Sequence, residues 1–218
     1  RLNDFDQMTD LPLAMREELK KDFKIDGLKV LKTYESKVDS TKKYLLELDD
    51  KNIVEAVYMD YNNRSTICIS SQVGCRMGCT FCASTKKGLT RNMTASELIE
   101  EVYLLERLNE PISNIVIMGI GEPLDNFSNI KKFIEVITDP KGRNLSHRSI
   151  TLSTSGLSPE IKELADTGLG VNLAVSLHYA DDKKRAQYMP IAKRYAIKSL
   201  IEATDYYFDK TGRRVSFE

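Results

Sequence analysis

The sequence predicts an α/β fold, because short apolar strands alternate with amphipathic helices from about residue 64 onward. Five runs rich in β-branched residues are typical of parallel strands covered on both faces, and they lie at 66–70, 114–119, 149–154, 171–177 and 214–218. Such units build either an open doubly wound sheet or a partial barrel. In both architectures, ligand-binding residues gather at the carboxyl ends of the strands.

The first 63 residues follow a different pattern and are predicted to form a small α+β accessory region. Thr9 or Asp10 can cap a short helix that has Pro12 in its first turn. Three strand-like runs with short turns between them follow, LKVLKTY, KYLLEL and IVEAVYM, and they indicate a meander. We therefore expect an accessory region at residues 1–63 and an α/β unit at residues 64–218.

Helices are predicted between the strands of the α/β unit. The clearest begins at Thr94, which can form a capping box with Glu97 ahead of apolar residues at helical spacing. Further helices are predicted at 129–138, 159–166 and 198–209. The last strand ends at Glu218 without a helix to cover it, so we expect a truncated α/β unit.

The composition is that of an ordinary globular protein. Apolar residues make up 41% of the chain and charged residues 29%, and 32 Lys and Arg balance 32 Asp and Glu. This balance excludes a global field that attracts nucleic acid, and local basic clusters such as 183–185 are interpreted as solvated faces. Without a membrane-length apolar run or a signal peptide, we expect a cytoplasmic monomer that contacts no membrane.

Three of the four cysteines form the motif Cys75-x-x-x-Cys79-x-x-Cys82, in a loop that follows the first strand of the α/β unit. Thiolates at this spacing can hold an iron–sulfur cluster, and three of them leave one iron open to another ligand. The amino and carboxylate groups of S-adenosylmethionine suit that open position. The fourth cysteine, Cys68, lies within the strand and is predicted to be a buried small hydrophobe.

Glycines and polar residues follow the next three strands, where they can meet a ligand bound beside the cysteine loop. Gly119 and Gly121 let the backbone approach a ligand closely, and Glu122 can face an ammonium group. Hydroxyl groups suit contacts with a ribose or a carboxylate. The following strand ends supply Ser153, Ser155, Ser176 and also His178.

A zinc site is the main alternative for the cysteines. Three cysteines and one histidine can bind zinc, although the usual spacing is two CxxC-like pairs, and only His147 and His178 are available. This alternative predicts a zinc-stabilised RNA-binding module that has no catalytic activity and contains no iron.

Four segments, SSQVGCRMGCTFCAS, MGIGEPLDN, ITLSTSG and AVSLH, resemble the RlmN family in order and spacing. Its members are radical S-adenosylmethionine methyltransferases that act on C2 of adenosine in 23S ribosomal RNA and in some transfer RNAs. The resemblance covers nearly the whole chain and implies a partial (β/α)6 barrel with an N-terminal accessory domain. It also implies a 4Fe–4S cluster, S-adenosylmethionine, an RNA partner and an electron donor such as flavodoxin or ferredoxin.

The resemblance assigns roles to individual residues. It implies that the cluster is ligated by Cys75, Cys79 and Cys82. The family's contacts with S-adenosylmethionine correspond to Gly121, Glu122, Ser153, Ser176, Leu177 and His178. The family's acidic residue that accepts a proton corresponds to Glu55. Without the resemblance, the residues around Glu55 indicate an exposed carboxylate on a strand.

The resemblance further implies that two molecules of S-adenosylmethionine are used, one of which methylates a cysteine of the enzyme. We expect that cysteine to belong to a C-terminal part beyond this stretch, and the stretch also to begin short of the usual N-terminal helical segment. We therefore expect this stretch alone to be incomplete for full turnover.

The nearest rival is the related Cfr type of methyltransferase, which modifies C8 of the same adenosine. That branch has alanine where this sequence has Pro123, and an apolar residue where it has Ser155. Both positions favour C2 methylation. A radical S-adenosylmethionine protein with another substrate is a further alternative, which the matches outside the cysteine loop disfavour.

Overall fold

The computed structural model describes residues 4–25, 27–61 and 64–218, and it confirms the α/β fold. The strands in these residues are β1 (Lys29–Glu35), β2 (Lys42–Glu47), β3 (Ile53–Tyr61), β4 (Arg64–Cys68), β5 (Gln72–Gly74), β6 (Leu89–Asn92), β7 (Asn114–Ile117), β8 (Ile150–Thr154), β9 (Asn172–Val175) and β10 (Val215–Phe217). The α-helices are α1 (Leu13–Asp22), α2 (Ala95–Leu108), α3 (Phe127–Thr138), α4 (Ser158–Asp166), α5 (Asp182–Tyr188) and α6 (Ile197–Thr211). None of these helices has the length and apolar character needed to cross a membrane.

One continuous sheet contains eight of the described strands, in the order β1-β2-β3-β4-β7-β8-β9-β10. The first four pair antiparallel, as expected for a meander, and β4, β7, β8, β9 and β10 pair parallel. Because β3 pairs with β4, the N-terminal meander extends the sheet of the α/β unit. The boundary expected at residue 63 lies outside the described residues, and the division into two regions stays a prediction.

One face of the sheet is buried beneath α2, α3, α4 and α6. Strand residues such as Ile67 and Ile115 are fully buried there against apolar helix residues, including Phe133 and Tyr207. The Tyr207 hydroxyl donates to the carbonyl oxygen of Val171 at 2.8 Å, so its polar end is also satisfied. Removal of this apolar surface from water stabilises the sheet and the helices together.

The opposite face of the sheet is called the inner face below. It carries the side chains that alternate along the strands with those under the helices. Cys68 and Val116 are paired across β4 and β7 on this face, and Thr66 precedes them along β4. Parallel strands in this order place the residues that follow their carboxyl ends at one edge of the sheet, where the functional site lies.

The capping box predicted at Thr94 is confirmed. The Thr94 hydroxyl accepts from the N–H of Glu97 at 3.2 Å, and the Glu97 carboxylate accepts from the N–H of Thr94 at 2.8 Å. The predicted cap of the first helix is wrong, because α1 begins at Leu13 and Pro12 is its N-cap residue. The first helical hydrogen bond runs from the N–H of Arg16 to the carbonyl oxygen of Pro12.

Short elements around the cysteine loop were not predicted. β5 and β6 form a separate antiparallel pair that flanks the loop on both sides. Strands of three and four residues are too short to show a clear alternation of apolar and polar residues. Helix α5 has seven residues, which is fewer than two helical turns, and is therefore too short to show a clear periodic pattern.

Candidate functional site

The three motif cysteines line one cavity of about 230 Å³ at the carboxyl ends of the parallel strands. The structure brings predicted residues from the ends of β7, β8 and β9 to the same cavity, namely Gly119, Gly121, Glu122, Ser153, Ser155, Ser176 and His178. These residues are far apart in sequence, and the parallel order β4-β7-β8-β9 brings them together.

The cysteine loop is organised by the side chain of Thr85, a residue that the sequence did not mark. The Thr85 hydroxyl donates to the carbonyl oxygen of Cys75 at 3.1 Å and accepts from the N–H of Gly78 at 3.0 Å. The N–H of Cys75 donates to the carbonyl oxygen of Gly88 at 3.0 Å. Backbone groups of the loop are therefore satisfied by the loop itself.

The segment that contains α5 supports the cysteine loop from outside. The N–H of Thr80 donates to the carbonyl oxygen of Tyr188 at 2.9 Å. Gly78 lies so close to Pro190 that a Cβ on this glycine would stand 3.2 Å from the proline ring. The position of the loop therefore depends on the packing of this segment.

Burial changes the protonation of the cysteine thiols. It raises the pKa of Cys75 to about 11, and it also raises the pKa of Cys79. Because burial disfavours the thiolate, these thiols lose their protons when a positively charged partner binds and takes the place of the proton. In the part of the chain that the structure describes, no three or more His, Cys, Asp or Glu are grouped to hold a metal ion. A cubane cluster does not need that convergence, since each cysteine ligates a different iron.

Glu122 presents a buried carboxylate to the cavity, with 3% of the residue exposed. Its Oε2 accepts from the N–H of Ser155 at 2.7 Å, and its Oε1 accepts from the N–H of Leu124 at 3.1 Å. Burial raises the pKa of Glu122, while these backbone N–H groups act in the opposite direction. A carboxylate held in this way can bind a cationic group of a ligand.

Gly119 and Gly121 line the cavity, and they were predicted to let the backbone approach a ligand. In the structure, a side chain at either position is excluded by the neighbouring chain instead. A Cβ on Gly119 would lie 2.7 Å from the carbonyl oxygen of Ile69, and one on Gly121 would lie 2.6 Å from Ser71 Oγ. Gly121 also has a φ of +111°, which side-chain-bearing residues rarely adopt. The glycines therefore let the turn after β7 pack against the chain between β4 and β5.

The ends of β8 and β9 contribute hydroxyl groups and an imidazole. The Oγ atoms of Ser153 and Ser176 lie 3.5 Å apart. The ring of His178 packs edge to face against Phe81 of the cysteine loop, with the ring centroids 4.8 Å apart. Leu177 is placed differently, because its side chain packs against the hydrophobic core and lies outside the cavity lining.

Ser155 provides an unsatisfied polar atom on the cavity wall. Its Oγ is buried and, among the described residues, forms no hydrogen bond of good geometry, although it lies close enough to the Glu122 carboxylate to act on the pKa of that group in the lowering direction. Buried hydroxyl groups are normally satisfied, and a ligand in the cavity can supply the missing partner. This orphan atom and the buried carboxylate beside it favour a polar ligand in the cavity.

The interpretation of residues 183–185 as a solvated basic face is wrong for Arg185. This side chain is fully buried, and its Nη2 donates to the carbonyl oxygen of Ser155 at 2.6 Å. Arg143 also has partners, because its guanidinium donates to the carboxylate of Glu106 at 2.9 Å. The basic clusters are therefore partly structural, and their distant partners were not predictable from the sequence.

Glu55 is placed outside the cavity lining. It alternates along β3 with buried Val54 and Ala56, so its side chain lies on the inner face. Its carboxylate forms an ion pair with Lys43 of β2, with 2.8 Å between Nζ and Oε1. Its carbonyl oxygen accepts from Ser70 Oγ at 2.6 Å, which links this strand to the chain leading into the cysteine loop.

Two buried amides that the sequence analysis missed hold the turn after β7. Gln72 Nε2 donates to Asp125 at 2.9 Å, and Gln72 Oε1 accepts from the N–H of Glu122 at 2.8 Å. Asn126 Nδ2 donates to the carbonyl oxygen of Ser71 at 2.8 Å. The only signal in the sequence was their position within the segments SSQVG and MGIGEPLDN.

Comparison with known protein families agrees with this geometry. The family model described as "Radical SAM superfamily" matches residues 69–217, which contain the cysteine loop and the cavity residues at the ends of β7, β8 and β9.

Individual relatives are similar over nearly the whole chain. A protein from Lachnoclostridium phytofermentans named "Probable dual-specificity RNA methyltransferase RlmN" is 50% identical over 218 residues, which are 100% of this chain and 61% of that protein. A protein of the same name from Clostridioides difficile is 48% identical over 215 residues, covering 98% of this chain and 63% of its own. The chain thus spans about three fifths of the length of these curated relatives.

A solved structure has the same fold. The crystal structure of a radical SAM methyltransferase from Sphaerobacter thermophilus superposes with a TM-score of 0.93 at 38% sequence identity. The match covers 99% of this chain and 64% of that one. These comparisons confirm the expected resemblance to RlmN proteins.

Proposed function

This chain belongs to the radical SAM superfamily, and on that basis we propose that it forms the core of an RNA methyltransferase. The proposed reaction adds a methyl group to C2 of adenosine in 23S ribosomal RNA, with transfer RNA as a second substrate. The observation that carries the proposal is the single cavity that joins Cys75, Cys79 and Cys82 to Glu122 and the strand-end serines. The names of the relatives, which are 48–50% identical, support RNA as the substrate.

A 4Fe–4S cluster and S-adenosylmethionine fit the residues of the cavity. Cys75, Cys79 and Cys82 would hold the cluster and leave one iron for the amino and carboxylate groups of S-adenosylmethionine. The buried Glu122 carboxylate and the orphan Oγ of Ser155 match a ligand with cationic and polar groups. When bound, this pair supplies the radical chemistry that a carbon such as adenine C2, which is not nucleophilic, requires.

The proposed contacts of S-adenosylmethionine divide among the strand ends. Glu122 would attract its amino group, and the backbone at Gly121 would lie along it. Ser153 and Ser176, whose hydroxyl groups lie 3.5 Å apart, would bind its ribose or carboxylate. His178 would form a wall of the site together with the cysteine loop, and Leu177 would contribute through its backbone, since its side chain packs on the core.

Glu55 is proposed as the proton acceptor of the reaction. Its support is the placement of the side chain on the inner face, where Lys43 holds the carboxylate at 2.8 Å. The hydrogen bond from Ser70 Oγ to the carbonyl oxygen of Glu55 fixes the strand relative to the cysteine loop. A proton acceptor must be held in a defined position so that it can reach the proton that it removes.

The proposal also covers the partners, the cellular location and the domain division of the protein. Ribosomal and transfer RNA are the macromolecular partners, and flavodoxin or ferredoxin is the electron donor. The protein acts as a cytoplasmic monomer, in a compartment that keeps the cluster thiols reduced. An accessory region at residues 1–63 and a barrel at residues 64–218 remain the proposed division.

The proposal is tested on the complete protein after anaerobic reconstitution, by measuring iron, sulfide and zinc and by recording electron paramagnetic resonance spectra. We expect about four irons per chain and a spectrum that changes when S-adenosylmethionine is added. Cys75→Ala, Cys79→Ala and Cys82→Ala should each lose the cluster. Cys68→Ala is the matched control and should keep it. Stoichiometric zinc without iron would overturn the proposal in favour of a zinc-stabilised RNA-binding module.

The methyl position is determined separately by mass spectrometry of nucleosides from treated RNA. A 2-methyladenosine product supports the proposed reaction. A product methylated at C8 would show the Cfr type of activity instead, despite Pro123 and Ser155.

A further inference from the structure

The cavity that contains the motif cysteines is called the cofactor cavity below, and the guanidinium of Arg185 is buried behind its wall. The Nη2 of Arg185 donates to the carbonyl oxygen of Ser155, a residue that lines the cavity, at 2.6 Å. Its Nη1 donates to the carbonyl oxygen of Tyr195 at 3.4 Å. Arg185 is 0% exposed, and a fully buried arginine normally has a partner of opposite charge.

The protein supplies little negative charge to this guanidinium. Among residues 4–25, 27–61 and 64–218, none of the ion pairs includes Arg185. Asp182 acts on its charge without forming an ion pair, and the Oδ1 of Asp182 accepts instead from the N–H of Ile197 at 2.8 Å. Because a buried charge is costly unless it is compensated, a further anion nearby would stabilise Arg185.

The cysteine loop lies beside this buried charge. The carbonyl oxygen of Tyr188 on α5 accepts from the N–H of Thr80 at 2.9 Å, and Thr80 directly follows Cys79. Burial raises the pKa of Cys79, and the charge of Arg185 acts in the opposite direction. Arg185 is therefore close enough to stabilise negative charge on the sulfur of Cys79.

The turn after β8 leaves room for the guanidinium. Gly156 has a φ of +103°, and a Cβ at this position would lie 3.1 Å from the Nη2 of Arg185. The N–H of Gly156 donates to the Oγ1 of Thr154 at 3.1 Å, which defines the conformation of the turn. On the other side, the carbonyl oxygen of Arg185 accepts from the N–H of Met189 at 2.7 Å. The position of the charge is thus fixed by the turn after β8 and by α5.

A positive charge at this position acts on the reduction of a cluster in the cavity. A cluster held by three thiolates is an anion, since the thiolates outweigh the positive charge of the iron–sulfur core. It becomes more negative when it takes up one electron from a donor of the flavodoxin or ferredoxin type, which is oxidised by the same electron. A nearby buried cation therefore stabilises the reduced form more than the oxidised form.

We propose that the buried positive charge of Arg185 raises the reduction potential of the iron–sulfur cluster held by Cys75, Cys79 and Cys82. This inference rests on the proposed radical S-adenosylmethionine function, and it assigns a role in the reduction step to a residue outside the cavity lining. Arg185 acts through space on the cysteine loop, so its effect is present before S-adenosylmethionine or RNA binds.

The test uses the complete protein after anaerobic reconstitution, without S-adenosylmethionine and without RNA. The midpoint potential of the cluster is measured from the electron paramagnetic resonance signal at a series of fixed potentials. Arg185→Gln removes the charge and keeps an amide donor, and Arg185→Met removes the charge and fills the space with an apolar chain. Loss of one charge interaction in the protein interior should lower the equilibrium constant for reduction about 10-fold. This change corresponds to about 59 mV for a one-electron couple.

Two further variants separate the charge from the contacts of the side chain. Arg185→Lys keeps the positive charge and should keep the potential of the unmodified protein. Arg213→Gln is the matched control, because the Nη2 of Arg213 donates to the Oδ1 of Asn172 at 2.7 Å. Asn172 begins β9, at the edge of the sheet opposite the cavity, so this variant should also leave the potential unchanged. Iron content and circular dichroism are measured first for every variant.

A purely structural role of Arg185 predicts lower stability of the neutral variants with an unchanged potential, and this result overturns the inference. An equal shift in Arg185→Lys and Arg185→Gln overturns it as well, since the contacts of the side chain would then set the potential. If neither neutral variant holds iron, retention of iron by Arg185→Lys supports the inference, and loss of iron from all three contradicts it.

The outcomes distinguish this inference from the proposed function. If the potential depends on the charge at Arg185 but the protein methylates no RNA, the inference stands and the methyltransferase function fails. If the protein methylates RNA and its potential is independent of that charge, only the inference fails. An unmodified protein that holds no iron–sulfur cluster contradicts both.

Discussion

The backbone N–H of Ser155 donates to Glu122 Oε2 at 2.7 Å, which joins the chain after β8 to the chain after β7 at the wall of the cofactor cavity. The carbonyl oxygen of the same serine accepts from the buried guanidinium of Arg185 at 2.6 Å. A carboxylate and a guanidinium are thus bound to the two backbone polar groups of one residue, Ser155. This arrangement leaves the Glu122 carboxylate available to a cationic ligand.

Glu122→Gln should lower both stability and cofactor affinity. The two oxygens of Glu122 accept from different backbone N–H groups, and glutamine offers only one oxygen for them. We expect a loss of about 1–3 kcal/mol in the free energy of unfolding, measured by urea denaturation. The dissociation constant of S-adenosylmethionine, measured by calorimetry, should rise about 10-fold for loss of a charge-assisted hydrogen bond.

The exposed Glu163 of α4 supplies the matched control for that experiment. Glu163→Gln should leave stability and cofactor affinity at the values of the unmodified protein. Equal behaviour of the two variants would contradict the role assigned to Glu122.

Gly121→Ala should be much more harmful than alanine at another glycine with positive φ. At Gly121 a Cβ would overlap Ser71 and Gln72 at 2.6 Å, and the backbone has a φ of +111°. We expect a loss of about 3 kcal/mol in the free energy of unfolding from strain and overlap together. Gly168→Ala, with a φ of +72° and no atom within 4 Å of the new Cβ, should lose only about 1–2 kcal/mol.

Thr85→Val should loosen the cysteine loop without changing a cysteine. The substitution removes the hydroxyl that connects the N–H of Gly78 to the carbonyl oxygen of Cys75. We expect iron to be retained about 10-fold less tightly against a chelator, as is usual when a residue that orients metal ligands is lost. Thr90→Val, at an exposed position of β6, serves as control and should retain iron normally. Equal retention by both variants would argue against the role of Thr85.

Glu101 predicts a pH dependence of stability. It is fully buried on α2, its Oε1 accepts from the N–H of Ser70 at 3.3 Å, and burial raises its pKa well above the usual range. The folded state therefore binds a proton that the unfolded state releases above a pKa of about 4.3. Stability from this group is complete below that pH and is lost as the pH rises through the folded-state pKa.

Glu101→Gln removes this titration while keeping an acceptor for Ser70. The stability of the variant relative to the unmodified protein should therefore rise with pH, by up to about 1.4 kcal/mol per pH unit inside the window. Urea denaturation from pH 5 to pH 8 measures the difference. Parallel curves for the two proteins would show that Glu101 does not titrate differently on folding.

Features that depend on neighbouring residues were predictable from the sequence. The spacing of Cys75, Cys79 and Cys82, the capping box at Thr94 and the apolar strand runs are all local patterns. The parallel strands were recognised to within two residues at their ends, since β-branched apolar runs are distinctive. The predicted cap of α1 was wrong, because the N-cap residue is Pro12. Several polar residues nearby are equally suitable caps by sequence alone, so the sequence does not discriminate between them.

The prediction that residues at the strand ends meet in one cavity also came from the sequence, through a general property of parallel sheets. Their carboxyl ends lie at one edge, so Glu122, Ser153 and Ser176 had to be neighbours once the strands were parallel. Leu177 shows the limit of this argument. Alternation along the chain turns its side chain into the core, and only the backbone remains near the site.

Only the tertiary structure decided which polar groups hold the site together. Gln72 meets Asp125 across 53 residues, and Arg185 meets Ser155 across 30. The same holds for Glu55, whose ion pair with Lys43 follows from strand pairing. Local periodicity reports which face of an element is apolar, but a buried polar side chain is stable only with a partner supplied by folding. Sequence therefore determined the elements and the cysteine motif, and the fold determined their polar partners because those bonds form between distant parts of the chain.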